Sequence, residues 1–391
     1  MSGIGIGSRG ALRIAGYGLA ALGGAVGLLP GPTPLWALVT LTCGAALALW
    51  AGGPLGAYIL RRIAAMLGTL LVVSALVFLI ITLPPGDYLS NQIAELRATG
   101  QESGVAQAEF LVAEYALDRP LPEQYLIWLG LWPGPRGFSG ILQGHFGQSF
   151  ALDRPVLEIV GEAMAFTLGL NLAVVLFVYA LALPLGVIGA MRAGTWIDRT
   201  VSVVSYLGLA TPNFLLALLL MYYGNKAVGL PIGGGMAREF IGQPLSVEKL
   251  GSILLHLIAP VFVIGTAAVA GMSQRLRANL LDELGKPYVV TARAKGLGET
   301  RAVLKYPLRV ALNPFIADIG NLLPQLVSGA VLVSVVMSLP TIGPILLSAL
   351  RSQDVFLSGF ILLFVSALTL VGMLLSDLLL ALVDPRIRLG A

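Results

Sequence analysis

The chain has 391 residues, of which 57% are hydrophobic and only 11% charged, with a formal net charge of +4. Soluble domains carry roughly 25% charged residues, so this composition cannot clothe a water-soluble protein of such length, and lipid must be part of the solvent. The small, clustered positive charge argues against a nucleic-acid binder, the single cysteine Cys43 excludes an intramolecular disulfide, and two distant histidines, His145 and His256, argue against zinc or non-haem iron chemistry.

A helix crosses the hydrocarbon core with about 20 apolar residues. Segments 14–29 and 35–50 predict two early spans joined by Gly31-Pro32-Thr33-Pro34. A cleavable signal peptide is the competing reading. Against it, that joint is a poor cleavage site and a second apolar run follows at once. Residues 1–56 are therefore read as an extra transmembrane pair. The next span is 63–83, with Arg61 and Arg62 before it.

Segment 84–164 is polar, with ten acidic against four basic residues. Residues 106–117 predict a helix with Phe110, Ala113 and Leu117 on one face. Residues 124–132 form an aromatic, amphipathic stretch suited to a membrane interface, and 130–140, rich in Gly and Pro, form a loop. The expectation is a small folded cap of short helices.

Spans 165–190, 201–223 and 252–274 follow, and Arg192 and Arg199 flank the short loop between the first two. Gly169 and Gly186 are read as close-packing positions, Asn171 and Asn213 as helix–helix hydrogen-bonding groups, and His256 as an interfacial residue.

Segment 275–312 concentrates Arg275, Arg277, Lys286, Arg293, Lys295, Arg301, Lys305 and Arg309. Basic residues are retained on the cytoplasmic side. With eight spans, every basic cluster from Arg9 and Arg13 to Arg386 and Arg388 falls on that side. Both termini are then cytoplasmic and 84–164 is external. Pro287 suits the first turn of a helix, which is expected to end at Gly296 with Gly298 beyond it. Ala292 and Gly296 are four apart and share a nearly bare face, while Arg293 and Lys295 point elsewhere. The residues alone leave two readings open: a docking element, or a solvated loop at the lipid headgroups.

Span 314–338 carries Asp318, Asn321, Gln325 and Ser328, which step by three, four and three and so lie within roughly 80° of one another. This single polar stripe is a pathway wall, a contact with a partner subunit, or intrachain packing. The last span, 356–383, holds Asp377 near its end, read as a cap or ion-pair partner. The fold class is an all-α integral membrane protein.

The stretch Thr291-Ala292-Arg293-Ala294-Lys295-Gly296-Leu297 resembles the cytoplasmic coupling loop, or EAA loop, of ABC importer permeases, in the dipeptide/oligopeptide (peptide/opine/nickel) branch. Tyr58-Ile59-Leu60-Arg61-Arg62, Pro84-Pro85-Gly86-Asp87, Leu117-Asp118-Arg119-Pro120-Leu121, Gln124-Tyr125, Gly144-His145-Phe146-Gly147-Gln148-Ser149 with Arg154-Pro155-Val156, and Val383-Asp384-Pro385-Arg386-Ile387 resemble the same branch. The likeness runs from Ala57 onward. Three departures stand out: His145 replaces a usual acidic residue, Pro307 interrupts the helix expected after Gly296, and 1–56 lies outside the usual core.

The resemblance implies a six-helix type I permease core over 57–391, with 84–164 as external cap, 275–312 as coupling loop, and 1–56 as two extra helices before it. It also implies a second, homologous permease, two cytoplasmic ATPase subunits or domains that receive residues 291–297, and an external substrate-binding protein. The chain sits in a lipid bilayer, expected to be the bacterial cytoplasmic (inner) membrane, with no nucleic acid as partner. ATP and Mg belong to the ATPase partners. This chain has no Gly-x-x-x-x-Gly-Lys-Ser/Thr stretch, so no cofactor, metal or catalytic residue is expected in it. The expected cargo is peptides or peptide-like solutes, with oligosaccharide, opine or metal-chelate import as alternatives. Outside the family stand a secondary transporter, which should repeat its intramembrane charges in two halves, and an intramembrane enzyme, which would need a Ser–His or paired Asp set in its spans.

Overall fold

The computed structural model of the protein describes residues 54–84, 86–224, 226, 229 and 231–383; the early spans 14–29 and 35–50, Cys43 and the tail lie outside these. The side chains of Asn321, Gln325 and Ser328 also lie outside the described ones. The chain divides into two compact units. One holds the described residues up to 157 together with 349–370, the other 158–348 and 371–383.

The first unit starts with α1 (Pro54–Thr82), long and apolar enough to cross a membrane. Its Leu67, Leu71, Val72, Leu76 and Ile80 are exposed, a run of apolar surface that lipid tolerates and water does not. Asp87 caps α2 (Tyr88–Ala98) by accepting from the Ser90 amide at 2.6 Å. Helices α3 (Glu102–Glu114) and α4 (Leu121–Leu129) follow, and α4 stops at Gly130, whose φ of +87° is left-handed. A short antiparallel ribbon joins β1 (Gln148–Ser149) to β2 (Arg154–Pro155). The expected short helices are present, but the first apolar face is not where the spacing put it. Phe110 is 65% exposed, and Ala108 is the buried residue of α3. The core of this unit is aromatic: Phe78 of α1 lies 5.5 Å from both Tyr125 and Trp128 of α4, and Phe356 meets Tyr115 and Phe150.

The second unit is built on α5 (Val156–Met191), α6 (Trp196–Ala210), α7 (Asn213–Leu219, continued by a π turn over Leu220–Gly224) and α8 (Val247–Leu284). Then come α9 (Pro287–Ala294), α10 (Glu299–Lys305), α11 (Pro307–Val336), α12 (Ile342–Arg351) and α13 (Val355–Val383), whose last turns alone belong to this unit. Val174, Val178, Met272, Leu276, Leu280 and Val333 are fully buried among α5, α8 and α11. Gly186 makes close packing possible, since a Cβ there would come within 2.9 Å of Leu276. Gly169, by contrast, faces open space.

Three sequence expectations change here. The span expected over 201–223 is two helices, α6 and α7, bent by 95°. Pro212 forces Thr211 into an extended conformation, with ψ of 117°, and the helix cannot pass. The span expected over 252–274 is part of a much longer helix. At 38 residues, α8 is about 57 Å long, nearly twice a hydrocarbon core of roughly 30 Å. Helix α12 was not expected at all. Pro307 does interrupt the chain after α10, and it then serves as the first residue of α11, where its missing N–H costs nothing.

Candidate functional site

The segment expected to couple to an ATPase follows the end of α8. Tyr288 of α9 donates its hydroxyl to Glu283 of α8. Partial burial and this neighbouring carboxylate push the phenol up to about 12, so it stays a neutral donor. Inside α9 the chain divides its residues sharply. Val289 and Ala292 are buried within the unit, while Val290, Thr291, Arg293, Ala294 and Lys295 are exposed.

After Ala294 the helix closes in a left-handed turn. Gly296 has φ of +85°, its amide donates to the Arg293 carbonyl at 2.9 Å, and the Leu297 amide reaches back to Ala292 at 3.3 Å. Ala292 and Gly296 therefore do not share a helical face: Ala292 packs inward and Gly296 lies past the helix end. A Cβ on Gly296 would meet nothing within 4 Å. The Gly296 turn is thus open to an incoming chain. Arg293 lies 3.9 Å from Glu299, a loose exposed pair that contributes little, and Lys295 has no ion-pair partner among the described residues.

The first turn of α6 is clamped to α8. Arg277 Nε and Nη2 donate to Asp198 Oδ1 and Oδ2 at 2.6 and 2.7 Å, and the Gly194 amide adds a third bond to that carboxylate. Gly189 gives the arginine room, since a Cβ there would lie 3.1 Å from its stem. The sequence reading missed this pair. Its only local signal was an acidic residue in the first turn of a helix, and nothing near Asp198 names a partner 79 positions later.

The stripe residues fall on α11. Arg275 pairs with Asp318 at 2.9 Å, so this carboxylate is matched within the chain. Asn321, Gln325 and Ser328 belong to the same unbroken helix. Ala311, Phe315, Leu322, Leu326 and Val333 form the inward face of α11. Val310, Leu332 and Val335, roughly 120° round the helix, are exposed. A cavity of about 280 Å³ lies beside the kink, lined by Asn213, Gly271, Arg275 and Leu326 among others. Asn171, expected to bond another helix, leaves its Nδ2 without a partner among the described residues. His256 is buried rather than interfacial, with Nδ1 on the Ser252 carbonyl at 2.8 Å.

The family described as binding-protein-dependent transport system inner membrane component matches residues 182–389, and its N-terminal counterpart matches 55–171. The chain belongs to this permease family. The permease is 32% identical over 336 residues to the oligopeptide transport system permease protein AppB of Bacillus subtilis, covering 85% of this chain and 100% of that one. It is 32% identical over 344 residues to the di/tripeptide transport system permease protein DppB of Pseudomonas aeruginosa, covering 85% and 98%. The dipeptide transport system permease protein DppB of Escherichia coli is 29% identical over 348 residues, again covering 85% and 98%. Among the described residues, four helices long and apolar enough to cross a membrane, with the bent pair as a fifth, make the permease a multi-pass membrane protein.

Proposed function

We propose that this permease is one of two transmembrane subunits of an ATP-driven importer of peptides or peptide-like solutes. The observation that carries the reading is its nearly end-to-end likeness to permeases named for oligopeptide, di/tripeptide and dipeptide transport. In this reading residues 291–297 dock in a cleft of a cytoplasmic ATPase, with the open Gly296 turn as the point of closest approach. A second ATPase serves a second, similar permease. An external binding protein delivers cargo to 84–164. ATP and Mg are held by the ATPases, and this chain has no ATPase site of its own. Both termini face the cytoplasm of a bacterial inner membrane, and 1–56 is a transmembrane pair added to the core 57–391. Cycling of the ATPases would bias the chain between two states.

The stripe of α11 is proposed as a pathway wall. Its helical period aligns Asn321, Gln325 and Ser328 with the exposed Val310, Leu332 and Val335. Asp318, at the stripe's edge, is tied to Arg275 and acts as its anchor rather than as a free charge.

The test is co-purification followed by uptake. The tagged chain, expressed with its genomic neighbours, is expected to bring down a second permease and two ATPases. Reconstituted with its binding protein, the complex is expected to take up tri-alanine only with ATP. Recovery of the chain alone, with uptake driven by an ion gradient, would establish a secondary transporter instead.

A further inference from the structure

A glycine-rich strap over residues 232–237 crosses one end of the second unit. The Gly234 amide donates to the Met337 carbonyl at 2.8 Å, and the Ala237 amide to Ser252 Oγ at 2.8 Å. The fit demands glycine: a Cβ on Gly235 would lie 2.7 Å from the Pro340 ring and 3.0 Å from Phe166. A cavity of about 1030 Å³ lies against this strap.

The cavity wall is chemically mixed. Phe166 and Met221 give it apolar surface, and Glu162, Arg238, Lys249 and His256 give it polar groups. Ion pairs elsewhere in the unit include Arg277–Asp198 and Arg275–Asp318. Here, among the described residues, Glu162, Arg238 and Lys249 have no ion-pair partner, and Lys249 Nζ reaches only the Gln243 carbonyl. His256 is only 8% exposed. Its Nδ1 faces the Ser252 carbonyl, which can only accept, so Nδ1 donates there and Nε2 is left for another partner. The wall therefore offers one anion and two cations without ion-pair partners, with the His256 imidazole beside them.

We propose that this cavity is a binding site for the free peptide in transit. Glu162 receives the terminal ammonium, Arg238 and Lys249 receive the terminal carboxylate, and His256 Nε2 accepts from a peptide N–H. Phe166 and the flexible Met221 adapt to varied side chains. The volume is generous for a short peptide, since pockets for small ligands run about 300–1,000 Å³. The proposal rests on the peptide reading given above.

The test uses the assembled transporter in nanodiscs without its binding protein, with tri-alanine as the probe. Tri-alanine is expected to bind. N-acetyl-tri-alanine and tri-alanine amide are each expected to bind about tenfold more weakly, one charged end of the peptide being lost in each. Glu162→Gln should weaken tri-alanine about tenfold and leave the acetylated peptide unchanged, while Arg238→Gln should weaken tri-alanine and spare the amide. Because blocked peptides probe the wild-type protein, the test survives a variant that fails to fold. Equal binding of free and blocked peptides would overturn the site. So would unchanged tri-alanine affinity and uptake KM in the Glu162→Gln/Arg238→Gln/Lys249→Gln variant of a complex that imports peptides. If the wild-type complex with its binding protein takes up no peptide, the functional reading fails and the site fails with it.

Discussion

Arg277 grips Asp198 in a two-pronged bond of 2.6 and 2.7 Å, joining the long helix α8 to the first turn of α6. Asp198 is nearly buried and Arg277 about three-quarters so, so neither group can fall back on bulk water if the other is removed. Arg277→Lys keeps the charge but loses the planar fork. It is expected to cost on the order of 2 kcal/mol, read as a lower thermal midpoint of the purified chain in detergent. Asp198→Asn with Arg277→Gln should cost less than the two single changes added together. Strict additivity would mean that the pair is not an energetic unit.

The Gly296 turn separates backbone strain from docking. A side chain there meets none of the chain's own atoms, but the left-handed conformation strains most residues by roughly 1–2 kcal/mol. Asn tolerates that conformation, so Gly296→Asn tests added bulk with little strain. Gly296→Glu adds a charged side chain at the same spot. All variants are expected to insert and remain monodisperse. Recovery of the ATPase subunits on the tagged chain should fall in the order Gly, Asn, Glu. Wild-type recovery with Gly296→Glu would show that this turn is not the docking point.

Local signals in the sequence were readable, and distant ones were not. Pro287 and Gly296 mark the start and stop of α9 because each acts through its own backbone. The inward packing of Ala292 was hidden, since burial depends on tertiary packing that helical spacing does not carry. Asp318 was visible as a costly charge in an apolar run, yet its partner Arg275 lies on another helix. Thr211-Pro212 was legible as a break, but a hydropathy window averages across it and returns one span. The aromatic cluster of Phe78, Tyr125 and Trp128 draws on helices separated in sequence, and no periodicity within either helix foretells it.

The 95° bend at Pro212 is open to direct measurement. Spin labels at Val203 and Tyr222, both exposed, would sit about 28 Å apart on a continuous helix. The wild-type distance should be shorter. Pro212→Ala removes the constraint on Thr211 and should lengthen it. Identical distances in the two proteins would show that proline does not set the bend.

The family match begins at residue 55, so residues 1–53 are expected to be dispensable for transport. A chain starting at Pro54 with a new initiator methionine should support ATP-dependent uptake within about twofold of the full chain, once membrane levels are equalised. Loss of uptake in a complex that still assembles would place the N-terminal segment inside the mechanism.

The exposed face of α11 separates the two main roles left for the polar stripe. Val333 is fully buried and Leu332, its neighbour, is 60% exposed, so adjacent positions sample opposite environments on one helix. In a Cys43→Ala background, single cysteines at positions 321, 325 and 328 should react with a small water-soluble thiol reagent in at least one state of the assembled complex. Trapping ATP should change those rates, because alternating access opens a pathway to one side at a time. Cysteine at 333 should stay protected throughout, which controls for unfolding. Cysteine at 332 reports whether the uncovered face is wet or merely lipid-facing, since a polar reagent does not enter hydrocarbon. State-dependent labelling at 321, 325 and 328 makes the face a pathway wall. Protection there in every state, with disulfide cross-linking to the second permease, makes it the seam between subunits, where polar side chains bond across helices.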